Sequence, residues 1–251
     1  METQLTVKFQ SFRATPPACI HKPTFRAVTL DCEMAGVTGG QNELILLCVA
    51  DYFTGAILLN RLVSPTQRVT DWRRKIHGVT ASVMELAIRQ GQALAGWREA
   101  RDELWKFIDG DTILVGHALH HDLDVLRMIH RRVVDSAILA RNAVGMSRQW
   151  GLKDLCNELL HIGLRENKAG VHDCMEDVLA TREVVLWCIR NQQGLHAWAK
   201  IKRLNEEHKE EERKKAQLAK KNQMISRISA KELRDHEEDS LRNLEEENVK
   251  I

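Results

Sequence analysis

Three runs of aliphatic and β-branched residues lie close together between Arg26 and Val63, and they constrain the fold of this 251-residue chain more than any other feature. They are Arg26–Glu33, Glu43–Phe53 and Ala56–Val63, the last two separated only by Thr54-Gly55. Apolar runs bounded by turn residues read as strands, and short links between them predict an antiparallel meander. Beyond them the pattern turns helical: Leu94, Trp97, Leu104 and Ile108 fall on one helical stripe. Thr112–Val115 reads as a short strand leading into a helix over His117–Ile129, whose Leu119, Leu123 and Leu126 share a face, and Val133–Asp135 reads as the last strand. Leu152–Leu160 and Cys174–Ile189 complete the helices. A meander followed by βα alternation predicts an α/β fold, a mixed β-sheet flanked by helices. No internal repeat is visible.

Two composition shifts set the expected boundaries. Residues 1–24 hold three of the four prolines, Pro16, Pro17 and Pro23, without a period, and are expected to form a flexible leader. Residues 25–195 form the expected α/β domain, and from His196 the chain becomes almost wholly polar. This tail, 196–251, has neither proline nor glycine and is expected to be helical or disordered. Its charge is divided: 196–227 carries ten basic against five acidic residues, and 228–251 four against eight.

The formal net charge of +2 neither argues for a nucleic-acid partner nor excludes one. Six cysteines without a C-x-x-C pair argue against a zinc ribbon or a redox dithiol and read as reduced thiols of an intracellular protein. No basic and apolar leader and no run of about 18 apolar residues is present, so neither secretion nor a membrane is expected.

Three clusters carry the chemistry. Asp31-Cys32-Glu33 places two carboxylates on one face at the end of the first strand. Such a pair is stable if it shares a proton, faces water, or is neutralised by a hard divalent cation. In Val115-Gly116-His117-Ala118-Leu119-His120-His121-Asp122-Leu123 a glycine turns a strand into a helix whose first turns carry His120, His121, Asp122 and Asp124. Carboxylates there serve as caps or dipole partners, and a helix start beyond a strand end is also where α/β sheets place ligands. The third is Val171-His172-Asp173-Cys174-Met175-Glu176-Asp177. On one continuous helix His172 and Asp177 would lie about 140° apart, whereas a His172 in the loop before the helix can fold back toward Asp177.

The order and placement of these clusters resemble the DEDDh family of 3′–5′ exonucleases over about residues 26–190. Leu30-Asp31-Cys32-Glu33-Met34-Ala35-Gly36-Val37, the Val115–Leu123 segment and Gly151-Leu152-Lys153-Asp154-Leu155 are similar to signatures of its RNA exonuclease branch. That branch includes enzymes related to yeast ribosomal-RNA processing exonucleases and the interferon-stimulated exonuclease. The resemblance implies a ribonuclease H-like fold and two-metal hydrolysis. Asp31, Glu33 and Asp177 would hold one Mg2+ or Mn2+, Asp31 would bridge to a second ion, Asp122 would support that ion, and His172 would be the general base. The sister subclass has a tyrosine at the position of Asp173, and the one tyrosine here, Tyr52, lies in the second strand.

For substrate, the resemblance implies that Met34, Gly36 and Val37, with His77, Gly78 and Val79 of the Ile76–Thr80 segment, line a pocket for the terminal nucleotide. The six tryptophans sit mostly in helical patterns and are assigned to packing. Asp173 and Glu176 depart from the family pattern and are expected to raise the pKa of His172. His121 stands where asparagine is common. The expected activity is release of nucleoside 5′-monophosphates from single-stranded 3′ ends, RNA in preference to DNA. The alternative is a non-catalytic RNA-binding or scaffold protein that binds partners through the 196–251 tail. Arg213-Lys214-Lys215 and Lys220-Lys221 read as an import signal for a nuclear or nucleolar location, with a cytoplasmic one as the alternative.

Overall fold

A computed structural model describes residues 11–19, 24–166 and 170–248, with side chains through residue 223. The strands are β1 (Arg13–Ala14), β2 (Ala27–Val37), β3 (Asn42–Asp51), β4 (Ile57–Leu62), β5 (Val69–Asp71), β6 (Ile113–Gly116), β7 (Met128–Ile129) and β8 (Val133–Asp135). The helices are α1 (Arg74–His77), α2 (Ala81–Arg89), α3 (Trp97–Leu104), α4 (His120–Val125), α5 (Ser136–Val144), α6 (Leu152–Leu155) with a π-helical turn at Cys156–Leu160, α7 (Cys174–Arg190) and α8 (Gln192–Asn248).

The expected meander is present: β2 pairs antiparallel with β3, and β3 with β4. On the other side β2 pairs parallel with β6, and β6 with β8, giving a mixed sheet in the order β4-β3-β2-β6-β8. β2 is its central strand, and its alternating side chains serve two layers. Val28, Leu30 and Cys32 pack with Trp97 and Leu104 of α3 and with Leu119 and Leu126. On the opposite face Ala27 meets Val185 of α7, while Cys48 and Ala50 of β3 meet Cys174 and Val178. This second layer brings α7 across the sheet beside Asp31 and Glu33.

Several boundaries differ from expectation for local reasons. The helix expected over His117–Ile129 is confined to α4, because Ala118 and Arg127 take left-handed backbone (φ 54° and 49°) on either side of it. A β-carbon at Gly116 would collide with the Leu119 side chain, so glycine there lets Leu119 pack close against the end of β6. Leu94 and Ile108 flank α3 rather than belonging to it, although both are buried. Part of the supposedly flexible leader is held: Arg13–Ala14 pairs in parallel with Met128–Ile129, and Gly110 N–H donates to the Pro16 carbonyl. Residues 1–10 and 20–23 of that leader lie outside the described residues.

A second core gathers Val144, Trp150, Leu155, Leu159, Leu164, Val184 and Trp198, and the Trp198 indole N–H donates to Glu158 at 2.7 Å. All six cysteines are unbridged. The chain divides into two compact units, Met1–Ala199 and Lys200–Ile251, and the described part of the second is helical. Pairs one turn apart, Lys209 with Glu206 and Lys214 with Glu210, support that helix. Among the described residues no helix is long and apolar enough to cross a membrane.

Candidate active site

β2 carries Asp31 and Glu33 to the sheet face covered by α7, as the two-residue strand period requires. Asp122, on the second residue pair of α4, is buried, and its carboxylate accepts from the Cys32 backbone N–H at 2.9 Å rather than capping its own helix. Asp177 lies one turn into α7 and is also buried. His172 precedes that helix and folds back, with Nδ1 3.4 Å from Asp177 Oδ2. Ligand atoms of Asp31, Glu33 and Cys174 all lie within 4.8 Å of one another, as do those of Glu33, His172 and Asp177. The first and third clusters of the sequence therefore meet at one place, with Glu33 common to both groups, while Asp122 of the second stands beside Asp31 through its hydrogen bond to Cys32 N–H.

The electrostatics show what this packing does. Burial first, and then the Asp177 charge, raises the Asp31 carboxyl to about 7. Burial, followed by Asp31 and Asp177, raises Glu33 to about 8. Asp122 is pushed well above the ordinary carboxylate range by burial and by Asp31. Glu33 Oε1 is buried and has no hydrogen-bond partner. An orphaned carboxylate oxygen amid acids that resist ionising together is the donor set a hard divalent cation neutralises.

His172 is shifted the other way. Burial, and then the Arg165 guanidinium, hold its pKa below the ordinary value against the pull of Asp177. The expected increase from Asp173 and Glu176 does not occur, because burial and Arg165 outweigh the carboxylates near the ring. Asp173 is the N-cap of α7, accepting from Met175 and Glu176 N–H, and Glu176 accepts from Arg165 N–H at 3.4 Å.

The substrate-side residues divide. Gly78 ends α1 with φ 75°, and His77 Nδ1 accepts from Val79 N–H at 3.2 Å while its buried Nε2 has no partner. Met34 and Gly36 are half-buried. Val37 and Val79 do not line a surface: both are buried, Val79 against Ala35, Ile45 and Met84, because each occupies an inward position of its segment. The His172 backbone N–H donates to the Ile76 carbonyl at 2.6 Å, joining this segment to the loop of the histidine. His120 and His121 are exposed and stack with ring centroids 3.9 Å apart.

Three residues escaped sequence reasoning. Arg165 forms a two-point contact with Asp177, Nη2 to Oδ2 at 2.7 Å and Nε to Oδ1 at 3.3 Å, and no motif announces it. Cys174 donates its thiol to the Asp31 carbonyl at 3.3 Å. Asp135 accepts from Ala118 and Leu119 N–H, fixing the turn before α4, and from Ala137 and Ile138 N–H, capping α5. An aspartate just before Ser136-Ala137-Ile138-Leu139 is a cap signal that could have revealed it. Beside Arg165 lies a cavity of about 270 Å³ bordered by Lys153, Asp154, Asn157, Leu164 and Glu166, which takes in part of the Gly151–Leu155 motif.

Residues 28–185 match the exonuclease family RNase_T, a span holding all five converging residues. The chain belongs to this exonuclease family. Family members depend on divalent metal ions, and the carboxylate set described above fits such a group. The chain is 28% identical to RNA exonuclease 3 of Candida albicans over 76% of its own length and 45% of that protein. It is 34% identical to RNA exonuclease 4 of Debaryomyces hansenii over 61% of the chain and 54% of the relative. It thus spans about half the length of these relatives. The structure of the Saccharomyces cerevisiae Pan2 module in complex with AACCAA RNA superposes with a TM-score of 0.62 at 14% identity, covering 79% of this chain and 36% of that one. The exonuclease fold is therefore ribonuclease H-like, as expected.

Proposed function

We propose that the chain is a 3′–5′ exoribonuclease that releases nucleoside 5′-monophosphates from single-stranded 3′ ends, RNA in preference to DNA. The observation that carries this reading is the convergence of Asp31, Glu33, His172 and Asp177 about the unpartnered Glu33 carboxylate oxygen, with buried Asp122 acting on Asp31. The RNA exonuclease relatives support the choice of RNA.

Asp31, Glu33 and Asp177 would hold one Mg2+ or Mn2+, with Asp31 shared to a second ion supported by Asp122. Bound there, the two ions would stabilise negative charge on the attacking and leaving oxygens of an in-line displacement. His172 takes the proton of the attacking water. Its lowered pKa keeps the imidazole neutral at pH 7, and a proton on Nδ1, facing Asp177, leaves the Nε2 lone pair for that transfer. His77 orients the terminal nucleotide: with Nδ1 accepting from Val79, its Nε2 carries the ring proton and is the donor of the pair. Met34 and the backbone at Gly36 and Gly78 form the rest of the seat, an apolar side chain for a base and small residues for sugar and phosphate.

Matched end-labelled RNA and DNA oligonucleotides test the reading. Mn2+-dependent release of mononucleotides from RNA, absent with chelator and in Asp31→Asn, is the expected result. Intact RNA after incubation of the wild-type protein with Mn2+ would reject it.

A further inference from the structure

We propose that Arg165 is a tethered cation that occupies the Asp177 carboxylate until a divalent ion displaces it, and thereby sets how much metal the site needs to fill. This rests on Asp177 being a metal ligand, as proposed above. The guanidinium engages both carboxylate oxygens, Nη2 to Oδ2 at 2.7 Å and Nε to Oδ1 at 3.3 Å, and the two side chains are 18% and 5% exposed. The contact is thus shielded from water, where like charges repel far more strongly than in solvent. A divalent ion entering among Asp31, Glu33 and Asp177 meets a positive charge already bound to one of its ligands.

The local backbone favours this placement at a strain. Arg165 has φ 62°, a left-handed conformation that disfavours any residue with a β-carbon, and it follows Leu164, which is buried in the second core. Its N–H points at Glu176. Backbone N–H and guanidinium of Arg165 thus both meet acidic residues in the first turn of α7. By linkage, a guanidinium that weakens metal binding is itself released when metal binds.

Calorimetric Mn2+ titration of the full chain, paired with thermal melting with and without Mn2+, tests the idea. Arg165→Gln is expected to bind Mn2+ about tenfold more tightly than wild type. Its metal-free melting temperature should lie below wild type, and the gap should close at saturating Mn2+. Arg165→Lys, which keeps the charge but loses the fork, should bind with intermediate affinity and serves if the glutamine variant does not fold. Unchanged or weaker Mn2+ binding in Arg165→Gln, or in Arg165→Lys where it stands in, would overturn the proposal. Asp177→Asn separates the two readings. If it binds Mn2+ as wild type does, Asp177 is not a ligand and both fail; if it loses Mn2+ while Arg165→Gln matches wild type, only the Arg165 proposal fails.

Discussion

The Asp122 carboxylate accepts a hydrogen bond from the backbone N–H of Cys32, tying the first turn of α4 to the middle of the central strand. The donor is buried, so removal of its acceptor leaves an unsatisfied N–H. Asp122→Ala is expected to lower stability by about 1–3 kcal/mol, and Asp122→Asn, which keeps an acceptor oxygen, by less. Both should lose turnover if Asp122 supports a metal ion. Urea denaturation beside activity assays checks this, and an active Asp122→Asn enzyme would contradict the assignment.

Glu33 makes metal-free stability depend on pH. In the unfolded chain it ionises near about 4.3, whereas burial and neighbouring carboxylates keep it protonated up to about 8 in the fold. Between these values the unfolded chain has lost a proton that the folded protein retains. The Glu33 contribution is therefore fully present below about 4.3 and is lost as pH rises through about 8. With chelator present, Glu33→Gln should gain on wild type across this window, by more than about 3 °C in Tm at the alkaline end. Mn2+ should restore wild type there, because the bound cation neutralises the buried Glu33 carboxylate. Parallel pH profiles of the two proteins would refute the argument.

His172 separates base from ligand. His172→Asn is expected to lower kcat about 100- to 10000-fold while leaving Mn2+ affinity at the wild-type value. In the wild-type enzyme at saturating Mn2+, activity should be flat through neutrality and fall only below the ordinary histidine value of 6.5. A large loss of Mn2+ affinity in the variant would make His172 a metal ligand instead.

Asp135 holds the site from a distance. Its buried carboxylate serves four backbone N–H groups, two that open α5 and two at the turn leading to Asp122. Asp135→Ala should destabilise the fold by about 2–4 kcal/mol, beyond the effect of losing a cap alone. Chemical denaturation measures this, and a change under about 0.5 kcal/mol would show that water replaces the carboxylate.

The site was more legible in the sequence than the fold around it. Asp31, Glu33, Asp122 and Asp177 stand in segments whose strand or helix character is written in apolar spacing, and the resemblance of their order, with His172, to the DEDDh family is what anticipated a common site. The ends of α4 could not, since Ala118 and Arg127 take left-handed backbone without the glycine that usually signals it. Central strand β2 is covered on both faces, which removes the polar alternation that would have shown Val37 to be buried. Arg165 is a single loop arginine without period or motif, and only the tertiary contact with Asp177 gives it meaning. Helices α2 and α5 are short, and β1 and β7 pair over two residues each, too little for any period to emerge.

The hydrogen bond from His172 N–H to the Ile76 carbonyl joins two loops that sequence keeps far apart. One carries the proposed base and the other the seat for the terminal nucleotide. On the proposed reading, a 3′ end that fits badly and pushes the Ile76–Val79 segment aside would also tilt the imidazole, so poor fit would be penalised at the chemical step and not only at docking. Selectivity among 3′ termini would then be a property of turnover rate, with a single backbone contact acting as the gauge that reads the end before water is activated.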